Sequence, residues 1–142
     1  KSYPLFHGDL QFDNVIYNEN QDKFYYIDWR ESFADNTEGG DIYYDLAKIY
    51  GGILINYYEI KSTDIFILEK GDSIVNFEIK LSQNLLNFKS LYENWLDDSG
   101  YDLEYVKYIT GIIFLNMSPI HEGKFSQILW FKSIEMLANA NK

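Results

Sequence analysis

The sequence predicts an α+β protein that is mainly helical and has a short β-hairpin near its N-terminus. Two β-prone runs, separated by turn-forming residues, lie within residues 15–27. Beyond residue 41, apolar residues recur at spacings of three and four in several segments, the pattern of amphipathic helices. The chain has 142 residues, 46% of them hydrophobic, which is enough for one domain with its own core.

The hairpin is the first predicted element. Residues 15–17 and 24–27 are rich in β-branched and aromatic residues, and the polar residues 18–23 between them are typical of a turn. A hairpin brings its two ends together. We therefore expect Asn14, before the first strand, to lie beside Asp28, after the second.

The residues before the hairpin have the spacing of a phosphotransfer loop. His7, Asp9 and Asn14 form the pattern H-x-D-x-x-x-x-N, which is the spacing of the catalytic loop of protein kinases. Phosphoryl transfer needs a carboxylate that orients the acceptor hydroxyl and takes its proton, and hard oxygen ligands that hold magnesium on the phosphates. Asp9 suits the first task, and Asn14 and Asp28 suit the second.

Apolar periodicity and capping residues predict the later elements. After a polar loop over residues 30–40, Asp41 caps a helix that continues to about Tyr58. A second hairpin over residues 64–79 follows, with Lys-Gly-Asp at the centre of its turn. Three further helices are predicted, over residues 81–97, 103–116 and 122–138.

Aromatic and apolar side chains on these elements are predicted to form the core. Aromatic residues make up 18% of the chain, with thirteen Tyr and ten Phe. Some of them could instead form a box around a quaternary ammonium group. The core prediction includes the tyrosines Tyr17, Tyr25, Tyr43, Tyr57 and Tyr92. On the helix over residues 81–97, helical periodicity is shown by Leu85, Leu86, Phe88, Leu91, Tyr92 and Trp95.

Three segments together resemble a known family. They are His-Gly-Asp-Leu-Gln-Phe-Asp-Asn-Val-Ile from His7, Ile-Asp-Trp from Ile27, and Gly-Asp-Ile-Tyr-Tyr-Asp-Leu-Ala from Gly40. In this order they resemble the aminoglycoside phosphotransferase and choline kinase family, relatives of the protein kinases, and three motifs in order are more specific than one. The resemblance implies that residues 1–142 are the C-terminal lobe of a protein-kinase-like fold, without the N-terminal nucleotide-binding lobe.

The resemblance also implies a role for each site residue. Asp9 would be the catalytic base, Asn14 and Asp28 would bind magnesium, and His7 would shape the loop. Asp45 would brace the loop by hydrogen bonds to its backbone. For Asp45 the alternative is a charge that only complements the dipole of its helix.

The function expected from the resemblance is transfer of the γ-phosphate of ATP or GTP, with Mg²⁺, to a hydroxyl of a small molecule. An amino alcohol such as choline, an aminoglycoside and a sugar all fit as the acceptor. The lobe is expected to be inactive without its nucleotide-binding partner lobe. The alternative is a lobe that binds without turnover, as in a pseudokinase.

Composition limits the partners and the location. The absence of Cys excludes disulfides and thiolate metal sites and is compatible with the cytoplasm. A net charge of -10 disfavours nucleic acid, and no apolar run is long enough to span a membrane. A zinc site with three protein ligands would need His7 and His121 to meet. We expect His121 to be a packing or capping residue rather than a substrate contact.

Overall fold

The computed structural model describes residues 6–56, 60, 66–72 and 75–140. Over these ranges the chain is α+β, as predicted, with four helices and two antiparallel two-stranded ribbons. Short 3₁₀ turns lie at Phe12–Asn14 and Ser118–Ile120. The helices are α1 (Ile42–Leu54), α2 (Gln83–Asp98), α3 (Leu103–Met117) and α4 (Gly123–Asn139), and the strands are β1 (Val15–Asn18), β2 (Lys23–Tyr26), β3 (Phe66–Lys70) and β4 (Val75–Ile79).

Strands β1 and β2 form the first predicted hairpin. Their register pairs Val15 with Tyr26 and continues to Asn18 and Lys23 at the turn. One further hydrogen bond extends the ladder at the open end, where the Ile27 N–H donates to the Asn14 carbonyl oxygen at 3.0 Å. The hairpin therefore places the backbone of Asn14 beside Ile27, the residue before Asp28.

Strands β3 and β4 form the second predicted hairpin. The register runs from Phe66 paired with Ile79 to Lys70 paired with Val75. Phe77 of β4 stacks on Phe131 of α4, with ring centroids 5.6 Å apart, so this ribbon packs on the helical body. Residues 64–65 and 73–74 of the predicted hairpin lie outside the described residues.

Side-chain caps begin three of the helices. The side chains of Asp41, Ser82 and Asp102 accept hydrogen bonds from backbone N–H groups in the first turns of α1, α2 and α3, which satisfies donors that have no partner within the helix. Helix α1 ends at Leu54, before its predicted end, and Tyr58 lies outside the described residues. Within the described ranges, no helix has the length and apolar character needed to cross a membrane.

The core lies among α1, α3 and α4. Ile53, Val106 and Ile128 have no exposed surface, and burying side chains of this size contributes about 1.5–3 kcal/mol each. Helices α1 and α3 approach closely at Thr110, whose hydroxyl donates to the Val106 carbonyl oxygen of its own helix at 2.8 Å and also lies 3.2 Å from the Ala47 carbonyl oxygen of α1. This contact fixes α1 against the body, and α1 in turn positions the candidate site.

Helix α2 buries only part of its periodic apolar face. Tyr92 and Leu96 are its buried residues, and Tyr92 donates its hydroxyl hydrogen to the Leu46 carbonyl oxygen on α1 at 3.0 Å. The apolar face of α2 is wider than the part of it that contacts α1. The periodic residues Leu86, Phe88, Leu91 and Trp95 of α2 are exposed. The core prediction is wrong for Tyr17 and Tyr25, which are exposed on the hairpin, and Tyr57 lies outside the described residues.

Candidate functional site

One carboxylate on α1 holds the loop that precedes β1. Asp45 is buried in the first turn of the helix. Its Oδ2 accepts a hydrogen bond from the His7 N–H at 2.7 Å, and its Oδ1 accepts one from the Gly8 N–H at 2.9 Å. A bracing role for Asp45 requires contacts of this kind, whereas a residue that only complemented the helix dipole would not need them.

The surroundings of Asp45 also change its protonation. Burial raises the pKa of Asp45, because the charged form loses its hydration. The backbone N–H groups of His7, Gly8 and Leu10 act in the opposite direction, since they stabilise the carboxylate, but burial outweighs them. The folded protein therefore holds a proton on Asp45 more readily than the unfolded chain does.

Gly8 is required by the shape of this loop. Its φ is +80°, in the left-handed region that side chains rarely adopt. A Cβ at this position would lie 2.7 Å from the Cβ of Arg30 and 2.8 Å from Cε1 of Phe6. Glycine therefore allows the loop to approach the residues that follow β2.

His7 connects the loop to the end of the hairpin. Its ring centroid lies 4.7 Å from that of Trp29, and its carbonyl oxygen accepts a hydrogen bond from the Arg30 N–H at 2.9 Å. Its Nδ1 accepts from the Asp9 N–H at 3.3 Å. The Nε2 atom is buried without a hydrogen-bond partner among the described residues. These contacts position the backbone of Asp9.

Asn14 lies against Asp9. The amide nitrogen of Asn14 donates to the Asp9 carbonyl oxygen at 2.8 Å and lies 3.4 Å from Oδ2 of the Asp9 side chain. Asn14 is buried, and its own carbonyl oxygen accepts from Ile27 of the hairpin. Because the amide nitrogen is used in the loop, the amide oxygen is the atom that a hard cation such as Mg²⁺ would bind.

Asp28 differs from the other predicted site residues in its exposure. Its side chain is exposed to solvent, whereas His7, Asn14 and Asp45 are buried. Its φ is 59°, in the left-handed region, where Asp and Asn are the side chains best tolerated. Residues held in this region are found disproportionately at functional sites. The hairpin register places Asp28 at the same end of the ribbon as Asn14.

Lys48 is a site residue that the sequence interpretation missed. Its Nζ lies 2.7 Å from Oδ1 of Asp9, and the side chains of Lys48 and Asp9 are 10% and 24% exposed. The contact is an ion pair without hydrogen-bond geometry, because Asp9 Oδ1 is buried and has no hydrogen-bond partner in the part of the chain that the structure describes. The available signal was the spacing, because Lys48 is three residues after Asp45 and therefore on the same helix face.

A cavity of about 400 Å³ opens beside this ion pair. Lys48 forms part of its wall, and so do Gln11, Phe12 and Asp13 from the loop that follows Asp9. The cavity extends between α1, α3 and α4, where its remaining wall is mainly apolar. No motif in the sequence indicated this cavity, because its lining comes from four separate segments.

His121 lies in the wall of this cavity. Its ring packs edge-on against Phe125, with centroids 4.7 Å apart. Within the part of the chain that the structure describes, no three His, Cys, Asp or Glu side chains cluster in a way that could hold a metal ion. The predicted magnesium ligands Asn14 and Asp28 are not a cluster of that kind, because they are one amide and one carboxylate.

The chain has no match in three comparisons: no protein-family model, no curated protein and no solved structure matches it. A fold alone does not determine a function, because one fold can carry many activities. The arrangement of residues around Asp9 is therefore the basis for assigning a function.

Proposed function

We propose that this chain is the catalytic lobe of a kinase-like phosphotransferase, which moves the γ-phosphate of ATP or GTP to a hydroxyl of a small molecule. One observation carries the proposal: the Asp9 carboxylate lies on a loop that Asp45 clamps to α1, with the amide of Asn14 against it. Phosphoryl transfer depends mainly on positioning and electrostatic stabilisation. A clamped carboxylate beside an amide and a cation supplies both.

In this proposal Asp9 is the catalytic base. It accepts a hydrogen bond from the acceptor hydroxyl and takes the proton as the acceptor oxygen bonds to the γ-phosphorus. The bond between that phosphorus and the bridging oxygen breaks, and the nucleoside diphosphate leaves with the electron pair. Asp45 and His7 act through the backbone of the loop and keep Asp9 in position.

Asn14 and Asp28 would hold Mg²⁺, the cofactor that the proposal requires. Both supply oxygen atoms, which Mg²⁺ prefers as ligands. The amide of Asn14 is already oriented by its hydrogen bond to Asp9, and the exposure of Asp28 leaves its carboxylate accessible. Bound magnesium would neutralise charge on the phosphates. In this proposal the residues that hold the rest of the nucleotide belong to a second, nucleotide-binding lobe.

Lys48 provides a positive charge beside the base. In the resting protein this charge offsets that of Asp9 across 2.7 Å. When Asp9 takes the acceptor proton its negative charge is lost, and the ammonium group becomes a partner for the phosphate oxygens. Under this proposal the partner is a small molecule rather than nucleic acid or a membrane, and the location is the cytoplasm, where nucleoside triphosphates are present.

A non-catalytic binding lobe is the second candidate function. The observation that favours it is the same ion pair, because Lys48 occupies one oxygen of the proposed base. The two candidates differ in turnover. Transfer of radiolabelled phosphate from ATP to a panel of alcohols, abolished in Asp9→Asn, supports catalysis, whereas nucleotide binding without transfer in the two-lobe protein supports the binding lobe.

Magnesium and nucleotide binding tests the site on this chain directly. We would titrate Mg²⁺ with ATP, and then with GTP, into the ¹⁵N-labelled protein and follow its amide signals by NMR. We expect shifts at Asp9, Asn14 and Asp28 that disappear in Asp28→Asn.

Asp22→Asn is the matched control. Asp22 is also an Asp at positive φ, but it lies in the turn at the opposite end of the same hairpin. This variant should respond like the wild type. Equal responses in all three proteins, or shifts confined to residues away from Asp9, would contradict the assignment of Asn14 and Asp28 as ligands.

A further inference from the structure

We infer that the cavity beside Lys48 is the acceptor site and that it takes a neutral, compact and mainly apolar alcohol. This inference rests on the proposed function, because the role of the alcohol as a phosphate acceptor depends on Asp9 as the base. The cavity, its lining and the charge around it are the observations that specify the chemical class. They favour such an alcohol over a polycation or a sugar.

The position of the cavity links it to the base. Gln11, Phe12 and Asp13, in its wall, lie on the loop between Asp9 and the first strand. Lys48 both lines the cavity and lies 2.7 Å from Oδ1 of Asp9. A molecule that contacts Lys48 in the cavity is therefore one side chain away from the base. The inference requires Lys48 to turn toward the incoming phosphate, so that the hydroxyl can approach Asp9.

The lining of the cavity is mainly apolar. Pockets of this type bind ligands through apolar contact and use a few polar groups to orient them. Among the described residues of the wall, the uncharged polar side chains are those of Gln11, Asn56 and His121, and the charged ones are those of Asp13 and Lys48. These few groups suit that orienting role. The apolar side chains in the wall are Phe12, Ile55, Ile113, Phe114, Met117, Phe125 and Leu129.

Charge in the cavity wall disfavours a cationic acceptor. Asp13 and Lys48 have opposite charges, and Asp13 supplies the one carboxylate among the described residues of the wall. An aminoglycoside has several ammonium groups, and burying them without matching carboxylates would cost free energy. A sugar has many hydroxyls and would leave most of them without partners against the apolar side chains.

The volume limits the size of the acceptor. About 400 Å³ is at the lower end of the range of roughly 300–1,000 Å³ for small-molecule pockets. The reaction is the one already given: the alcohol oxygen bonds to the γ-phosphorus, its proton goes to Asp9, and the nucleoside diphosphate leaves. Apolar contacts would position the body of the alcohol and leave the hydroxyl end toward the base.

Binding can be tested without nucleotide or magnesium, so its outcome is independent of the phosphotransfer test. We would titrate cinnamyl alcohol into the protein labelled at Ile, Leu and Met methyl groups and follow the NMR shifts of Ile113, Met117 and Leu129. Choline, glucose and kanamycin are the comparison probes. We expect saturable shifts and intermolecular nuclear Overhauser effects with cinnamyl alcohol, at affinities at least tenfold above those of the other three.

Gly52→Leu is the blocking variant. Gly52 lies in α1 and lines the cavity, and a Cβ there would lie 2.9 Å from Cδ2 of Phe12. Leucine favours the helix more than glycine does, so the change adds bulk to the cavity while it supports α1. We expect at least a tenfold loss of affinity for cinnamyl alcohol with an unchanged circular dichroism spectrum.

Leu91→Ala is the matched control for nonspecific apolar binding. Leu91 is 66% exposed on α2 and is not part of the cavity wall, so this variant should bind as the wild type does. Binding lost in Leu91→Ala, tighter binding of choline, glucose or kanamycin, or no shift at Ile113 and Leu129 in the wild type would each overturn the inference. The nuclear Overhauser effects in the wild type decide the question even if Gly52→Leu fails to fold.

Discussion

The two halves of the candidate site are held in place in different ways. The loop half contains His7, Gly8 and Asn14, which are buried, and Asp45 ties it to α1. The hairpin half ends in Asp28, and every residue of β2 is exposed. The position of the base is thus part of the folded helical body. The position of Asp28 depends on a two-stranded ribbon, an element of marginal stability by itself.

Asp45→Ala should have the largest effect, because it breaks the tie between the loop and α1. The change leaves the buried N–H groups of His7 and Gly8 without their acceptor, and we expect a loss of about 2–4 kcal/mol in the free energy of unfolding. Asp45→Asn keeps one acceptor oxygen and should lose less. Urea unfolding measures both variants, and equal losses would show that the paired hydrogen bonds are not the cause.

The same residue gives a pH dependence. Because burial raises the pKa of Asp45 in the folded state, the folded protein binds its proton more tightly than the unfolded chain. The contribution of Asp45 to the free energy of unfolding is most favourable at pH values below the ordinary Asp pKa of about 3.9, and it is lost as pH rises through the folded pKa. The free energy of unfolding should therefore fall as pH rises across this window. The fall should be smaller in Asp45→Asn.

Lys48→Met tests the charge that the helical body supplies to the loop. The methionine retains an apolar stem but leaves the buried Oδ1 of Asp9 without its cation, and we expect a loss of about 1–3 kcal/mol in unfolding free energy. Under the proposed function, phosphate transfer measured with the nucleotide-binding lobe present should also fall at least tenfold, roughly 1.4 kcal/mol in the barrier. Lys48→Arg keeps the charge and should recover stability. A Lys48→Met protein with unchanged transfer would show that the ion pair has no catalytic role.

Tyr50→Phe tests whether stability of the body can change without a change in the loop. The Tyr50 hydroxyl donates to Glu93 Oε1 at 2.6 Å and links α1 to α2. Burial alone would raise the pKa of Glu93, but hydrogen bonds from Lys89 and Tyr50 outweigh burial and lower it.

The expected loss for Tyr50→Phe is about 1 kcal/mol at neutral pH. A carboxyl with a lowered pKa contributes stability above the ordinary Glu value of about 4.3, and this is lost as pH falls through the folded pKa. The difference between Tyr50→Phe and the wild type should therefore shrink in acid. The amide signals of His7 and Gly8 should stay unchanged, and a shift there would indicate that the loop depends on α2 as well.

Asp28→Asn should have the smallest effect on stability, and it therefore separates the hairpin half of the site from the loop half most clearly. The side chain is exposed, and asparagine is tolerated at a φ of 59° at least as well as aspartate. We expect unfolding free energy to change by no more than about 0.5 kcal/mol, although the magnesium response is lost. A large loss of stability would mean that Asp28 is tied to the body in the way that the loop is.

The sequence predicted the elements of this fold well, because local chemistry decides them. Turn-forming residues between β-prone runs located both hairpins, and Asp41 and Asp102 located two helix starts. The end of α1 and the exposed face of α2 were not predicted. Apolar periodicity identifies a face that can be buried, but the neighbouring elements determine whether it is, and α2 contacts α1 along a narrow line.

The candidate site was predictable only in part. The spacing of His7, Asp9 and Asn14 and the register of the hairpin identified groups that the chain brings together within a short segment. Lys48 and the cavity depend on how α1 packs against distant elements, and no motif encodes that packing. The lining of the cavity from α3 and α4 became visible only in the folded structure.

The clamp by Asp45 has a consequence for the order of folding. His7 and Gly8 donate to a residue 38 and 37 positions away in sequence, so these two hydrogen bonds form only when α1 is in place against the loop. Local opening that leaves the two hydrogen bonds to Asp45 intact does not expose these amide hydrogens. Their exchange with deuterium should therefore follow the cooperative opening of the helical body. Amides near the exposed hairpin turn, such as that of Gln21, should exchange much sooner.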